Sequence, residues 1–181
     1  MPYISLACRL LLFTVLALSA GSKIRNRTVL AELSESLSAI ALVRRGGGRP
    51  AAFALVAAEA VAALALATPW IPAAVAFSSA AVLLGALTGG VAVVLGRRLN
   101  VVCQCFGRSR TPLRARHLVR NLGLLATAVL GLAASGSGVG HPAGLVVAGF
   151  VGALVAVLVI SIDDIAELLL PFPTTTGQKG P

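Results

Sequence analysis

Aromatic side chains make up only 4% of this 181-residue chain, with a single tryptophan and a single tyrosine. A chain so poor in rings has no stacking platform for single-stranded nucleic acid. Charge is also scarce. Charged residues are 12% of the sequence, against roughly 25% in an ordinary soluble domain. Only six residues are acidic, so the formal net charge is +9. In a soluble protein that excess would point to nucleic acid, but such binding needs a continuous basic face on a folded soluble module. Histidine occurs twice and cysteine three times. A closed zinc site needs four ligands. The candidates beyond Cys103 and Cys105 are His117 on the same side, with Cys8 and His141 toward the other. No metal closed by a single copy of the chain is expected.

Apolar sequence fills the space. Hydrophobic residues are 57% of the chain and the mean hydropathy is +0.95, which together with long uncharged runs describes an integral membrane protein. Five apolar segments are expected, at about 3–20, 51–68, 73–96, 118–134 and 143–162. The turn "PWIP" at 69–72 ends the second, because two prolines remove donors and fix φ. The stretch "SGSGVGHP" at 135–142 separates the fourth from the fifth, and the tail "PFPTTTGQKGP" reads as disordered. The fold class is therefore an all-α membrane bundle of four core helices plus a fifth. The expected organisation is a core domain over 1–134, a linker and added helix over 135–170, and a tail over 171–181.

The basic residues are not spread evenly. Six of the fifteen lie between Lys23 and Arg49, and seven between Arg97 and Arg120. Both clusters fall in loops on one side of a bundle with alternating helices, while the loops at 69–72 and 135–142 carry none. The positive-inside rule then places the basic loops and the C-terminus in the cytoplasm and the N-terminus outside, in a multi-pass cell-membrane protein. A cleaved signal peptide with "ALSA" near the cut is the competing reading of the first segment, but it would put the first basic loop outside. Within that loop Val29, Leu33, Leu37, Ile40 and Arg44 share a helical spacing. They suggest an amphipathic helix, either along the inner interface or packed against the bundle.

Two ionisable residues stand inside apolar runs. Glu59 lies about 12 Å from the inner end of the second helix and Arg9 about 20 Å from the inner end of the first, at 1.5 Å per residue. The bland reading pairs them as a structural ion pair. The sharper one makes Glu59 a proton relay or a quinone contact, since an intramembrane charge is a functional candidate by default. A third keeps Glu59 protonated and hydrogen-bonded. Arg120 and Asn121 enter the fourth segment. Arg120 would snorkel to lipid phosphate, and Asn121 would hydrogen-bond to a neighbouring helix.

The remaining signal is "CQCFG" at 103–107. Cys103 and Cys105 can ligate one metal, form a small strained disulfide, or sit inert in a turn. Strain raises a disulfide's reduction potential and makes it labile. Arg97, Arg98, Arg108 and Arg110 flank the pair, and nearby cations stabilise thiolate. Spacing alone leaves these readings open.

"VVCQCFG", the Arg/Thr/Pro loop after it and "LVRNLGLL", together with "GSKIRN" and the Glu59 position, resemble the MauE family of methylamine-utilisation membrane proteins, grouped with DoxX-like bundles. The resemblance spans about residues 5–134. It implies a four-helix membrane bundle that helps to mature a disulfide-rich periplasmic dehydrogenase subunit with a thioredoxin-like partner. Carried over by position, its candidate residues are Lys23, Glu59, Cys103, Cys105, Arg120 and Asn121. Gln104 departs from the family, which often has glycine there, and the fifth segment lies beyond the resemblance. A fold does not carry a substrate with it.

The expectation is thus a membrane thiol redox or maturation factor, a thiol–disulfide oxidoreductase accessory in enzymatic terms. Cys103 and Cys105 would exchange, Arg97, Arg98 and Arg108 would tune them, and Glu59 would be the buried polar element. Its partners would be a thioredoxin-like or other redox protein and the lipid bilayer, with no nucleic acid. No cofactor can be read, although a quinone would suit the Glu59 site. The alternatives are a non-catalytic membrane scaffold and a small transporter that uses Glu59. One tension belongs to this reading: charge puts the cysteines inside, whereas an extracytoplasmic partner would meet them more readily outside.

Overall fold

The computed structural model describes residues 1–39, 47–96, 115–136 and 141–169, and all of the regular structure among them is helical. The elements are α1 (Pro2–Arg25), α2 (Arg27–Ala39), α3 (Gly48–Ala67), α4 (Ala73–Gly96), α5 (Ala115–Ala133, continued by a 3₁₀ turn at Ala134–Gly136) and α6 (Pro142–Leu169). Five of these, all but α2, are long and apolar enough to cross a membrane. The chain is an all-α multi-pass bundle, as its hydropathy requires. Four of the expected segments lengthen in the structure. The first reaches Arg25 and the second begins at Gly48, so the helices run on into their charged ends.

Helix α1 is the hub, packing against α3, α5 and α6, while α4 packs against α3 and α5. Side-chain contacts fix the directions. Arg9 near the start of α1 meets the end of α3, and the Tyr3 hydroxyl accepts from the His141 N–H at the start of α6, at 3.0 Å. Phe77 in the first turns of α4 lies on Gly131 near the end of α5. One end of the bundle therefore holds the proline turn, and the other holds Arg25, Arg49 and the ends of α4 and α5 that the 97–114 segment joins. We call these the proline end and the basic end. Trp70, 87% exposed in the turn at the proline end, suits an aromatic anchor at a membrane interface.

In lipid there is no hydrophobic drive to bring helices together, so close packing must do it, and small residues let backbones approach. The core follows that rule. Ala76, Ala80, Ala128 and Ala156 are fully buried, among Leu12, Leu16, Leu66, Leu84 and Phe77. Glycine is used where nothing else fits. A Cβ on Gly152 of α6 would stand 2.5 Å from the Ala7 carbonyl oxygen of α1, and one on Gly131 would enter the Phe77 ring. Helix α6 is thus a packed member of the bundle through α1. Its opposite face, with Val146, Val147, Phe150 and Val157, is exposed and apolar, as a lipid-facing surface should be.

Of the two readings of the first basic loop, the structure adopts the packed one. Leu33 of α2 is buried against Ala52 and Val56 of α3, with Leu30, Leu37 and Leu55 at the margin. Ser34 and Ser38 lie on Gly48, where any side chain would collide with them. Ile40, Arg44 and the 171–181 tail lie outside the described residues.

Candidate functional site: a polar core at the basic end

Six polar or charged side chains are buried among the described residues: Ser19, Lys23, Glu59, Thr88, His117 and Asn121. Their positions share a pattern. Ser19 and Lys23 occupy the last two turns of α1, and His117 and Asn121 the first two turns of α5. Thr88 lies about 12 Å from the end of α4 and Glu59 about 16 Å from the start of α3, at 1.5 Å per residue. Helix α3 reaches further because α2 flanks its first turns. These six buried polar side chains all lie in the basic half of the core, among aliphatic neighbours such as Val91, Val94 and Leu124.

At its centre is one ion pair. Lys23 Nζ donates to Glu59 Oε1 at 2.5 Å and Oε2 at 2.7 Å, and to Ser19 Oγ at 3.1 Å, while Ser19 Oγ donates to Glu59 Oε2 at 3.2 Å. Lys23 and Glu59 are each 1% exposed. An ammonium has three donors, and these three contacts use them all. The local sequence explains the reach. Helical side chains tilt toward the helix N-terminus and neighbours at i and i+4 share a face. Lys23 therefore rises one turn into the bundle and meets Ser19. A buried charge is tolerated only when paired and hydrogen-bonded, and this triangle satisfies both demands.

The expected pairing of Arg9 with Glu59 does not form. Arg9 donates through Nε to the Leu66 carbonyl at 2.5 Å and through Nη2 to those of Thr68 at 2.6 Å and Ala65 at 3.4 Å. The same tilt is the reason: it carries the arginine toward the proline end, away from Glu59. There the last carbonyls of α3 lack intrahelical partners, and a cation also suits the helix C-terminus. Arg9 is a cap, and Glu59 belongs to Lys23.

On α5, His117, Asn121, Leu124 and Ala128 recur at helical spacing and are all buried, so one stripe faces inward. Asn121 was expected to hydrogen-bond across to a neighbour. It is 4% exposed, yet its Oδ1 has no hydrogen-bond partner among the described residues. Arg120, one position round the helix, is half-buried and lines a groove with Leu11, Gly123, Val155 and Val159. Thr88 Oγ1 donates to the Leu84 carbonyl at 2.6 Å.

Lys23 and Glu59 are thus brought together, and Asn121 joins the same buried half. Cys103, Cys105, Arg97, Arg98 and Arg108 lie outside the described residues. Cys8 is buried in the second turn from the proline end, far along α1 from Lys23. Among the described residues no three His, Cys, Asp or Glu side chains gather as metal ligands. Ser19 and Thr88 were the buried polar residues that sequence reasoning missed, Ser19 being the one in the ion-pair network. Its i, i+4 relation to Lys23 was the available signal.

Comparison with known proteins agrees with this geometry. The family model described as "Methylamine utilisation protein MauE" matches residues 1–134. No curated protein and no solved structure matches the chain. The match takes in the whole of α1 to α5, with both partners of the buried ion pair, and stops before α6. The chain belongs to the MauE family of integral membrane proteins.

Proposed function

We propose that this protein is a membrane thiol–disulfide factor that matures a partner protein, with Cys103 and Cys105 as the exchanging pair. The observation that supports the reading is the clustering of every described buried polar side chain in the basic half of the bundle. Gly96 and Ala115, the ends between which the Cys-x-Cys segment is strung, belong to that same end.

The chemistry favours a disulfide donor. A ring closed across one intervening residue is strained, and flanking arginines stabilise the thiolate of the reduced form. Both effects raise the reduction potential. A partner thiolate attacks one sulfur of the Cys103–Cys105 bridge, giving a mixed disulfide and releasing the other cysteine as thiolate. The partner's second thiolate then attacks the partner sulfur of that mixed disulfide and expels the bound cysteine, so the partner leaves with its own disulfide. Two electrons pass to Cys103 and Cys105, which are released as thiolates and take any protons from water. An oxidant of the membrane, a quinone by chemical class, takes those electrons to restore the bridge. Lys23, Glu59 and Ser19 fix α1 on α3, and Asn121 offers an unused acceptor in the same half. The positive-inside rule supports a cytoplasmic basic end and so a partner that meets the thiols on that side.

A scaffold role is the second reading, favoured by the closed geometry of the ion pair. The two differ in one experiment. With a single cysteine left, Cys105→Ser or Cys103→Ser should trap a partner in a mixed disulfide that reductant dissolves. Serine variants that trap nothing and still support partner maturation would leave the scaffold.

A further inference from the structure

A groove between α2 and α3 stands apart from the polar core. Ile24, Arg27, Leu30, Ser34, Arg49 and Phe53 line it, around about 470 Å³. Two guanidinium groups from different helices thus share one cavity. Arg27 and Arg49 are both exposed, and neither forms an ion pair among the described residues, where Glu59 pairs with Lys23. Like charges beside one cavity repel, and an anion between them relieves the repulsion. The planar fork of arginine matches phosphate oxygens two at a time.

The other half of the lining is apolar and open. Ile24 is 66% exposed and Phe53 61%, beside Leu30 of an amphipathic helix that flanks a membrane span. We infer that this groove binds the headgroup phosphate of an anionic phospholipid. Arg27 and Arg49 hold the phosphate, the Ser34 hydroxyl stands beside it, and Ile24, Leu30 and Phe53 pack on the glycerol and first acyl carbons. Free phosphate shares the charge chemistry but leaves the apolar wall unused, so lipid is the occupant. The inference does not depend on the thiol chemistry.

The test is native mass spectrometry of the full chain in neutral detergent, titrated with phosphatidylglycerol, phosphatidylcholine or inorganic phosphate. Phosphatidylglycerol should be retained in preference to phosphatidylcholine. Arg27→Gln/Arg49→Gln should weaken it roughly 30-fold, at roughly fivefold per cation near an anionic surface. Arg25→Gln, a basic residue outside the groove, should leave it unchanged. A photoreactive phosphatidylglycerol on the unmodified protein should crosslink to peptides covering 24–34 and 49–53, which reads the site even if the double variant misfolds. Equal retention of the two lipids, an equal loss with Arg25→Gln, or crosslinks spread over the whole basic end would overturn the assignment. Stabilisation by inorganic phosphate alone, equal to that by phosphatidylglycerol, would overturn the lipid in favour of a soluble anion.

Discussion

Lys23 and Glu59 show how a membrane protein keeps two charges out of water. Their attraction does little more than offset the cost of burying them, but removal of one partner strands the other. Lys23→Met should therefore cost about 3–5 kcal/mol of stability, measured by thermal or denaturant unfolding in detergent micelles. Lys23→Met combined with Glu59→Leu should recover most of that loss. A double variant as unstable as the single one would contradict an isolated pair and implicate further members of the network. Arg9→Gln should cost less, about 2 kcal/mol, in line with charge-assisted hydrogen bonds. Its effect should be additive with that of Lys23→Met, because Arg9 and Lys23 meet α3 about two turns apart and share no partner.

Helix packing in this bundle rests on small residues, and the glycines separate into those that fill contacts and those that do not. Gly131→Ala should destabilise by about 1–3 kcal/mol, because its new methyl meets the buried Phe77 ring. Phe77→Leu in the same chain should relieve part of the strain. Gly152→Ala should cost at least as much, since it meets the Ala7 backbone, which cannot swing aside. Gly85→Ala meets nothing within 4 Å and should gain up to about 1 kcal/mol from helix propensity. Unfolding midpoints of the three variants, side by side, check the ordering. None of this was legible in the sequence, because hydropathy says nothing of which face meets which helix. The five spans were legible, because long apolar runs between prolines and arginines permit little else. Depth arithmetic put Glu59 about 12 Å from the start of its helix, where the structure has about 16 Å, and the pairing with Arg9 that it suggested does not form, since it counted backbone rise and ignored the tilt of side chains toward the helix N-terminus. Lys23 was reached through the family resemblance, and its i, i+4 relation to Ser19 would have reached it by geometry.

Across the whole molecule, the buried polar side chains of the described residues gather in the basic half, and the Cys-x-Cys segment joins two helices at the basic end. If that end faces the cytoplasm, a membrane-impermeant maleimide added to intact cells should spare Cys103 and Cys105 and label them only after permeabilisation. Labelling of intact cells would reverse the orientation and remove the tension with an outer partner. The account depends most on whether the two thiols act as one redox couple. Differential alkylation and mass spectrometry across a graded glutathione series tests that directly. The account predicts that Cys103 and Cys105 change state together as a two-electron couple, bridged at the oxidising end and free at the reducing end. Two thiols that stay free throughout, or that form only separate mixed disulfides with glutathione, would contradict it.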